Sequence, residues 1–164
     1  MSPDEYLSLV AERLKADGAE VTTEYFRGVP AVVGYRSQFR LRWLATRLNL
    51  FTVVLPVGLV TPAGLKQFSE EVLDFATSQK GRFRGLQNGV AAIPVQVSAQ
   101  VHPEAVAFAQ TDLIRRFSAF AWPTAVDLST GQVHNHQGRV LVGGLYSSWM
   151  RQQTAVALKD GTGG

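Results

Sequence analysis

Residues 31–43, Ala31-Val32-Val33-Gly34-Tyr35-Arg36-Ser37-Gln38-Phe39-Arg40-Leu41-Arg42-Trp43, decide how the fold is read. From Tyr35 onward the letters alternate. Tyr35, Ser37, Phe39, Leu41 and Trp43 fall on one side of an extended chain, and Arg36, Gln38, Arg40 and Arg42 on the other. Successive side chains of a strand point to opposite faces, so this period of two predicts a half-buried strand with a basic outer face. Ala31 to Arg36 is rich in β-branched residues and reads as strand too. A single element from Ala31 to Trp43 would be unusually long, so a bend near Ser37 is the alternative to one continuous strand.

Working back from this stretch, Gly28 to Pro30 reads as a turn and Val21 to Arg27 as a preceding strand, which makes a hairpin. Before it, Pro3, Asp4 and Glu5 with apolar Tyr6, Leu9, Val10 and Leu14 predict an amphipathic helix that ends at Asp17 and Gly18. Working forward, Leu50 to Val57 reads as a strand. Thr61 and Pro62 then open a helix with Leu65, Phe68, Val72, Phe75 and Ala76 on its apolar side. Val90 to Val101 is a strand edged or interrupted by Pro94. Pro103 opens a third helix expected to run to about Ser118, Trp122 to Leu128 is a strand, and Gln132 to Val142 a further pair around Asn135 to Gly138. Leu145, Trp149, Ala155 and Val156 suggest a last helix. Strands in succession with helices set apart predict an α+β domain over residues 1–159, with a largely antiparallel sheet of about five to seven strands and three or four helices packed against it. Residues 160–164 are expected to fray.

The 164 residues suit one domain, which at that length buries about 70% of the surface its unfolded chain exposes. A composition 46% hydrophobic and 18% charged is that of a globular protein and excludes wholesale disorder. No cysteine is present, so disulfides, thiolate metal sites and cysteine nucleophiles are excluded, and a reducing, cytoplasmic setting is expected. The start is acidic, where a secretory signal needs a basic one. The longest apolar run, Leu50 to Val60, is about half a membrane span and contains Pro56 and Gly58, so no membrane partner is expected.

The net charge of +3 hides a segregation along the chain. Residues 1–24 carry six acids against Arg13 and Lys15, whereas from Tyr25 to Ser69 there is no carboxylate at all. Arg27, Arg36, Arg40, Arg42, Arg47 and Lys66 lie in that stretch, and Lys80, Arg82 and Arg84 in a second acid-free one. Arg36, Arg40 and Arg42 on one strand face, with Arg47, Arg82 and Arg84 in support, form a candidate anion or nucleic-acid site. Adjacent same-face guanidiniums would stand about 6.5 to 7 Å apart, a spacing that can track phosphates. The competing reading is a face covered by an acidic helix such as Asp4 to Asp17 or Glu70 to Asp74. Tyr35 and Trp43 stand on the opposite parity, poorly placed to stack on a ligand held by the arginines.

The order helix, strand, strand, strand, helix, strand is similar to the core of restriction-endonuclease-like nucleases. Their chemistry needs carboxylates on the central strands to hold a divalent cation. Gly34, Arg40 and Arg42 occupy those strands here, which argues against an active nuclease and leaves a catalytically inactive nucleic-acid-binding relative. His134 and His136 share a strand face, but zinc needs at least a third ligand, with His102 and Asp127 as the other candidates. A polar hairpin tip is the better reading, and no metal or cofactor is expected. There is no G-x-S-x-G and no phosphate-binding loop ending in Gly-Lys-Ser/Thr.

The expectation is therefore a non-enzymatic protein- or peptide-interaction module, chaperone- or adaptor-like and a small homodimer. Its element order is similar to that of small α+β secretion-chaperone-type domains. The alternatives are a nucleic-acid or anionic-ligand binder using the arginine row, and a small-molecule enzyme without a recognisable motif.

Overall fold

Three of the helices begin where their capping chemistry places them. In the computed structural model, which describes residues 1–40, 46–79, 88–116, 118–137 and 144–158, α1 spans Pro3–Ala16. The Ser2 hydroxyl accepts from the Glu5 N–H at 3.2 Å, and the Glu5 carboxylate accepts from the Ser2 N–H at 2.8 Å. This reciprocal box satisfies two donors that a helix start leaves over. Helix α2, Pro62–Ser78, starts the same way, with the Thr61 hydroxyl accepting from the Gly64 N–H at 3.0 Å. In α3, Pro103–Thr111, the cap is His102, whose Nδ1 accepts from the Glu104 N–H at 3.1 Å. Helix α4 spans Gly144–Leu158.

The strands are β1 Glu20–Phe26, β2 Val29–Arg40, β3 Thr46–Pro56, β4 Asn88–Ser98, β5 Ile114–Arg116, β6 Ala119–Ala121, β7 Thr124–Asp127 and β8 Gln132–His134. They form one mixed sheet. β1, β2 and β3 are an antiparallel meander, β4 lies parallel to β3, and β6 and β7 lie end to end beside β4 and parallel to it. β5 and β8 flank β6 and β7 as antiparallel partners.

The sheet is thus not largely antiparallel, and it has eight strands rather than five to seven. The cause is that α2 carries the chain back along the sheet before β4 begins, so β4 runs parallel to β3, and that the turn from β5, itself antiparallel to β4, brings β6 into the direction of β4. Three of the extra strands are only three residues long, too short to show a period in the sequence. Helix α3 ends at Thr111 and not near Ser118, since Asp112 is already extended (φ −104°, ψ 141°). Asp and Thr favour the ends of helices because their side chains compete for the backbone. The segment Ala31 to Arg40 continues in one twelve-residue strand without a bend.

Pro94 sits inside a central strand and not at its edge. The β4 ladder to its neighbour stops after Ala92 and resumes at Val95, opposite the break at Trp122 and Pro123 that separates β6 from β7. A proline lacks the N–H that this stretch of ladder would need, and the neighbouring strand is interrupted there.

Both faces of the sheet's centre are covered. On one, Tyr6, Val10 and Leu14 of α1 and Trp149 and Met150 of α4 pack with Leu48, Leu50, Val54, Ile93 and Val95. On the other, Phe68, Val72, Leu73 and Ala76 of α2 pack with Val33, Phe51, Val53 and Ala92, while Ala105 and Ala109 of α3 join Val60, Leu65 and Ala125. None of the helices of the described residues is long and apolar enough to cross a membrane.

Gly34 sets how closely α1 lies on β2. A Cβ there would stand 2.8 Å from Leu14 Cδ1, so the Leu14 side chain would have to shift. Gly34→Val should destabilise the fold by about 1 to 3 kcal/mol through overpacking. In a Leu14→Ala background, which itself loses about 2 to 5 kcal/mol, the added cost of Gly34→Val should shrink, because the clashing atoms are gone. Urea midpoints of the two single variants and the double variant test this, and strict additivity would show that the contact is not the cause.

Candidate functional site

The hairpin places β1 at the margin of the sheet. Arg27 (φ 51°) and Gly28 (φ 77°) are both left-handed, which makes the tight two-residue turn whose twist matches that of its strands. Such a turn requires the flanking pair, Phe26 and Val29, to exchange both backbone hydrogen bonds, and the hydrogen-bonded pairs then recur at every second residue. Phe26, Glu24, Thr22 and Glu20 therefore direct their N–H and C=O toward β2, and Val21, Thr23 and Tyr25 direct theirs outward. Among the described residues no strand pairs with this outer edge.

β1 also leaves most of its side chains in solvent, with Val21 packed on the α1-side core. Thr22, Thr23, Glu24 and Tyr25 are exposed, Tyr25 to 70%, and only Phe26 at the hairpin end is buried. A groove runs along each face of the strand. On the α2 side, a cavity of about 320 Å³ lies between Glu20, Thr22 and Glu24 of β1 and an aromatic wall of Tyr35, Phe51 and Phe75. On the α1 side, one of about 310 Å³ lies between Thr23 and Leu7, Ser8 and Ala11, with Val32 and Pro56 below and Asp4 at its end.

The aromatic wall is held in place. Tyr35 and Phe51 have ring centroids 5.0 Å apart, Phe51 and Phe75 meet edge to face at 5.9 Å, and Phe75 meets Phe26 in the same way at 5.8 Å. Edge-to-face contacts of this kind align the positive rim of one ring with the negative face of the next. The Tyr35 hydroxyl donates to Asn49 Oδ1 at 2.9 Å, and the fully buried Asn49 donates from Nδ2 to the Gly89 carbonyl at 3.4 Å. A buried amide is tolerable only with partners, so this relay fixes the Tyr35 ring as well as satisfying Asn49.

Three carboxylates are answered by arginines, whereas those of Asp4, Glu12, Glu70 and Glu104 have no partner among the described residues. Asp17, Glu71 and Asp74 are paired with Arg36, Arg27 and Arg116. Glu20 and Glu24, on the rim of the α2-side groove, have no hydrogen-bond or ion-pair partner among the described residues.

Of the six arginines of the sequence reading, the side chains of Arg36 and Arg47 are described, and they lie on opposite faces of the sheet. Arg36 lies on the α1 face, where its guanidinium donates to the Asp17 carboxylate, to the Asp17 carbonyl at 3.1 Å and to Gln153 Oε1 at 2.9 Å. Asp17 is the C-cap of α1, so the cation also sits at the negative end of that helix. Arg47 is exposed and on the opposite face, with its Nη1 donating to the Ser37 hydroxyl at 3.3 Å. Arg40 ends β2, paired with Thr46, and its side chain lies outside the described residues, as do Arg42, Arg82 and Arg84 altogether. The acidic cover at Arg36 is the end of α1.

The three histidines are not brought together. His102 caps α3, His134 pairs with Ala125 at the sheet's far margin, and His136 packs edge to face on Trp122 at 5.3 Å. Among the described residues no group of three His, Asp or Glu could hold a metal. Of the residues that build the two grooves, Glu20 and Glu24 were read only as part of an acidic N-terminal run. Their signal is the period of two in Glu20, Thr22 and Glu24, which sets both acids on one face of a strand. Comparison with protein-family models, curated proteins and solved structures finds no match for this chain.

The Arg36 to Asp17 contact ties β2 to the end of α1 and is partly buried, with side chains 24% and 33% exposed. Asp17→Ala should destabilise the domain by about 1 to 2 kcal/mol, less than a fully buried pair would lose, because solvent still reaches both groups. Arg36→Met in the same background should add little beyond its packing change. A denaturation cycle over the four proteins checks this, and a coupling near zero would show the contact to be energetically idle.

Proposed function

We propose that this protein is a non-enzymatic peptide-interaction module that accepts an extended segment of a partner as an added strand along β1. The observation that carries the reading is the strand itself. Seven residues long, it leaves the outward N–H and C=O groups of Val21, Thr23 and Tyr25 unpaired and has a groove on either face. Strand addition uses this combination, since main-chain hydrogen bonds supply affinity and pockets for alternate side chains supply selectivity. Among the described residues the other margins of the sheet, β5 and β8, are three residues long, which is how sheets ordinarily blunt an edge.

Other chemistries find less support. β2, β3 and β4 carry no carboxylate, so a metal-assisted hydrolysis built on the central strands has no ligands there. A phosphate-tracking surface is weakened at Arg36, whose donors are already engaged.

Selection of nine-residue peptides from a displayed library supplies the test. Bound peptides should shift the amide resonances of β1 and protect the Val21, Thr23 and Tyr25 N–H groups from exchange. Thr23→Pro removes an outward donor while leaving the ladder to β2 intact, because proline is tolerated on an edge where its nitrogen faces solvent. It should weaken binding by about tenfold or more. Selected peptides that leave β1 unperturbed, or that bind Thr23→Pro as well as the parent, would remove the reading.

A further inference from the structure

Resting on strand addition at β1, we infer that the segment it takes is cationic, with lysine or arginine at two positions four residues apart and apolar residues between them at the odd positions. The α2-side groove supplies the first half of this code. Glu20 and Glu24 lie on one face of β1, about 13 Å apart at strand rise, with Thr22 between them and the rings of Tyr35, Phe51 and Phe75 alongside. Both carboxylates lack a partner among the described residues, whereas Asp17, Glu71 and Asp74 are neutralised by arginines. A lysine or arginine opposite each would find a counter-charge for its head, and its alkyl stem would lie along the aromatic wall, where the ring faces also attract a cation.

Register sharpens the assignment. Glu20, Thr22 and Glu24 spend their backbone groups on β2, so a residue added opposite any of them forms a non-hydrogen-bonded pair. In such pairs the side chains approach most closely and cross-strand charge pairing is strongest. The intervening partner residues fall opposite Val21 and Thr23 and point to the other face, toward the groove lined by Leu7, Ala11 and Val32, which suits a valine or isoleucine. The pattern is therefore cation, apolar, small, apolar, cation. It holds for a partner strand that runs antiparallel to β1, the arrangement in which such close pairs occur. A second copy of this chain is a poorer occupant, because pairing β1 with itself about Thr22 sets Glu20 against Glu24.

The test uses dye-labelled nine-residue peptides with a lysine-valine-threonine-valine-lysine core between glycine and serine flanks, read by fluorescence anisotropy on the full chain at low salt. The lysine peptide should bind about tenfold more tightly than its glutamine counterpart, while a glutamate counterpart should not bind. Glu20→Lys with Glu24→Lys, two exposed substitutions that leave the core untouched, should reverse the order so that the glutamate peptide binds best. Thr23→Pro, with its fold checked by circular dichroism, should weaken every peptide alike.

The failures are separable. Equal binding of the lysine and glutamine peptides, both lost in Thr23→Pro, would overturn the cationic code and leave strand addition standing. Lysine binding that survives Thr23→Pro would overturn strand addition and with it this inference. A dimer in light scattering that Thr23→Pro dissolves would give the edge to a second copy, and no binding by any of the three peptides would overturn the code.

Discussion

Burial of β3 and β4 on both faces is the constraint on which the rest of this structure depends. Leu48, Leu50, Val54, Ile93, Val95 and Val97 face one helical layer, and Phe51, Val53, Leu55 and Ala92 face the other. Neither strand has a wet side. Parallel neighbours of this kind must be covered above and below, and the chain meets that need by spacing its strands with α2 and α3 on one face and closing the other with α1 and α4. Four helices suffice for the centre of the sheet. β1, at the end of the meander, packs on α1 through Val21 and leaves its other residues up to Tyr25 exposed.

That distribution explains why polar chemistry gathers where it does. At the centre, the buried Asn49 amide is answered by the relay from Tyr35 to the Gly89 carbonyl. Where a helix end meets a strand, the charge is answered by charge, as at Asp17 and Arg36. Along the exposed part of β1, Glu20 and Glu24 stay hydrated and unanswered, since no cation of the described residues reaches them. An open, charged edge is one way a sheet avoids pairing with copies of itself. The same charges make the edge selective toward a segment of opposite sign, so resistance to self-association and recognition of a partner rest on the same two side chains.

The arginine reading illustrates how a strand period misleads about function. The alternation from Tyr35 to Trp43 places Arg36 and Arg40 on one parity, and the structure keeps β2 as one strand as far as Arg40. Parity alone does not say what lies over a face. α1 ends above Arg36 and supplies Asp17, while Arg47, close in sequence, belongs to the opposite face of the neighbouring strand. The histidines behave alike. His102 serves a helix cap and His136 an aromatic contact, roles that their chain positions do not announce.

The local elements were legible in the sequence because their causes are local. Ser2, Pro3 and Glu5 set the start of α1, Thr61 and Pro62 that of α2, and Gly28 the hairpin turn, each through backbone chemistry acting within a few residues. The two-residue period of β2 was equally plain. Only the tertiary structure decided which strands are neighbours, that β3 and β4 run parallel, and that β1 ends as an open edge between two grooves. An apolar run such as Leu48 to Leu55 carries no mark of its partner, because burial rewards any apolar neighbour and register is settled by the whole sheet at once. For the same reason Glu20 and Glu24 could be counted as acids from the sequence, but only their exposure on the folded sheet makes their charges available to a partner.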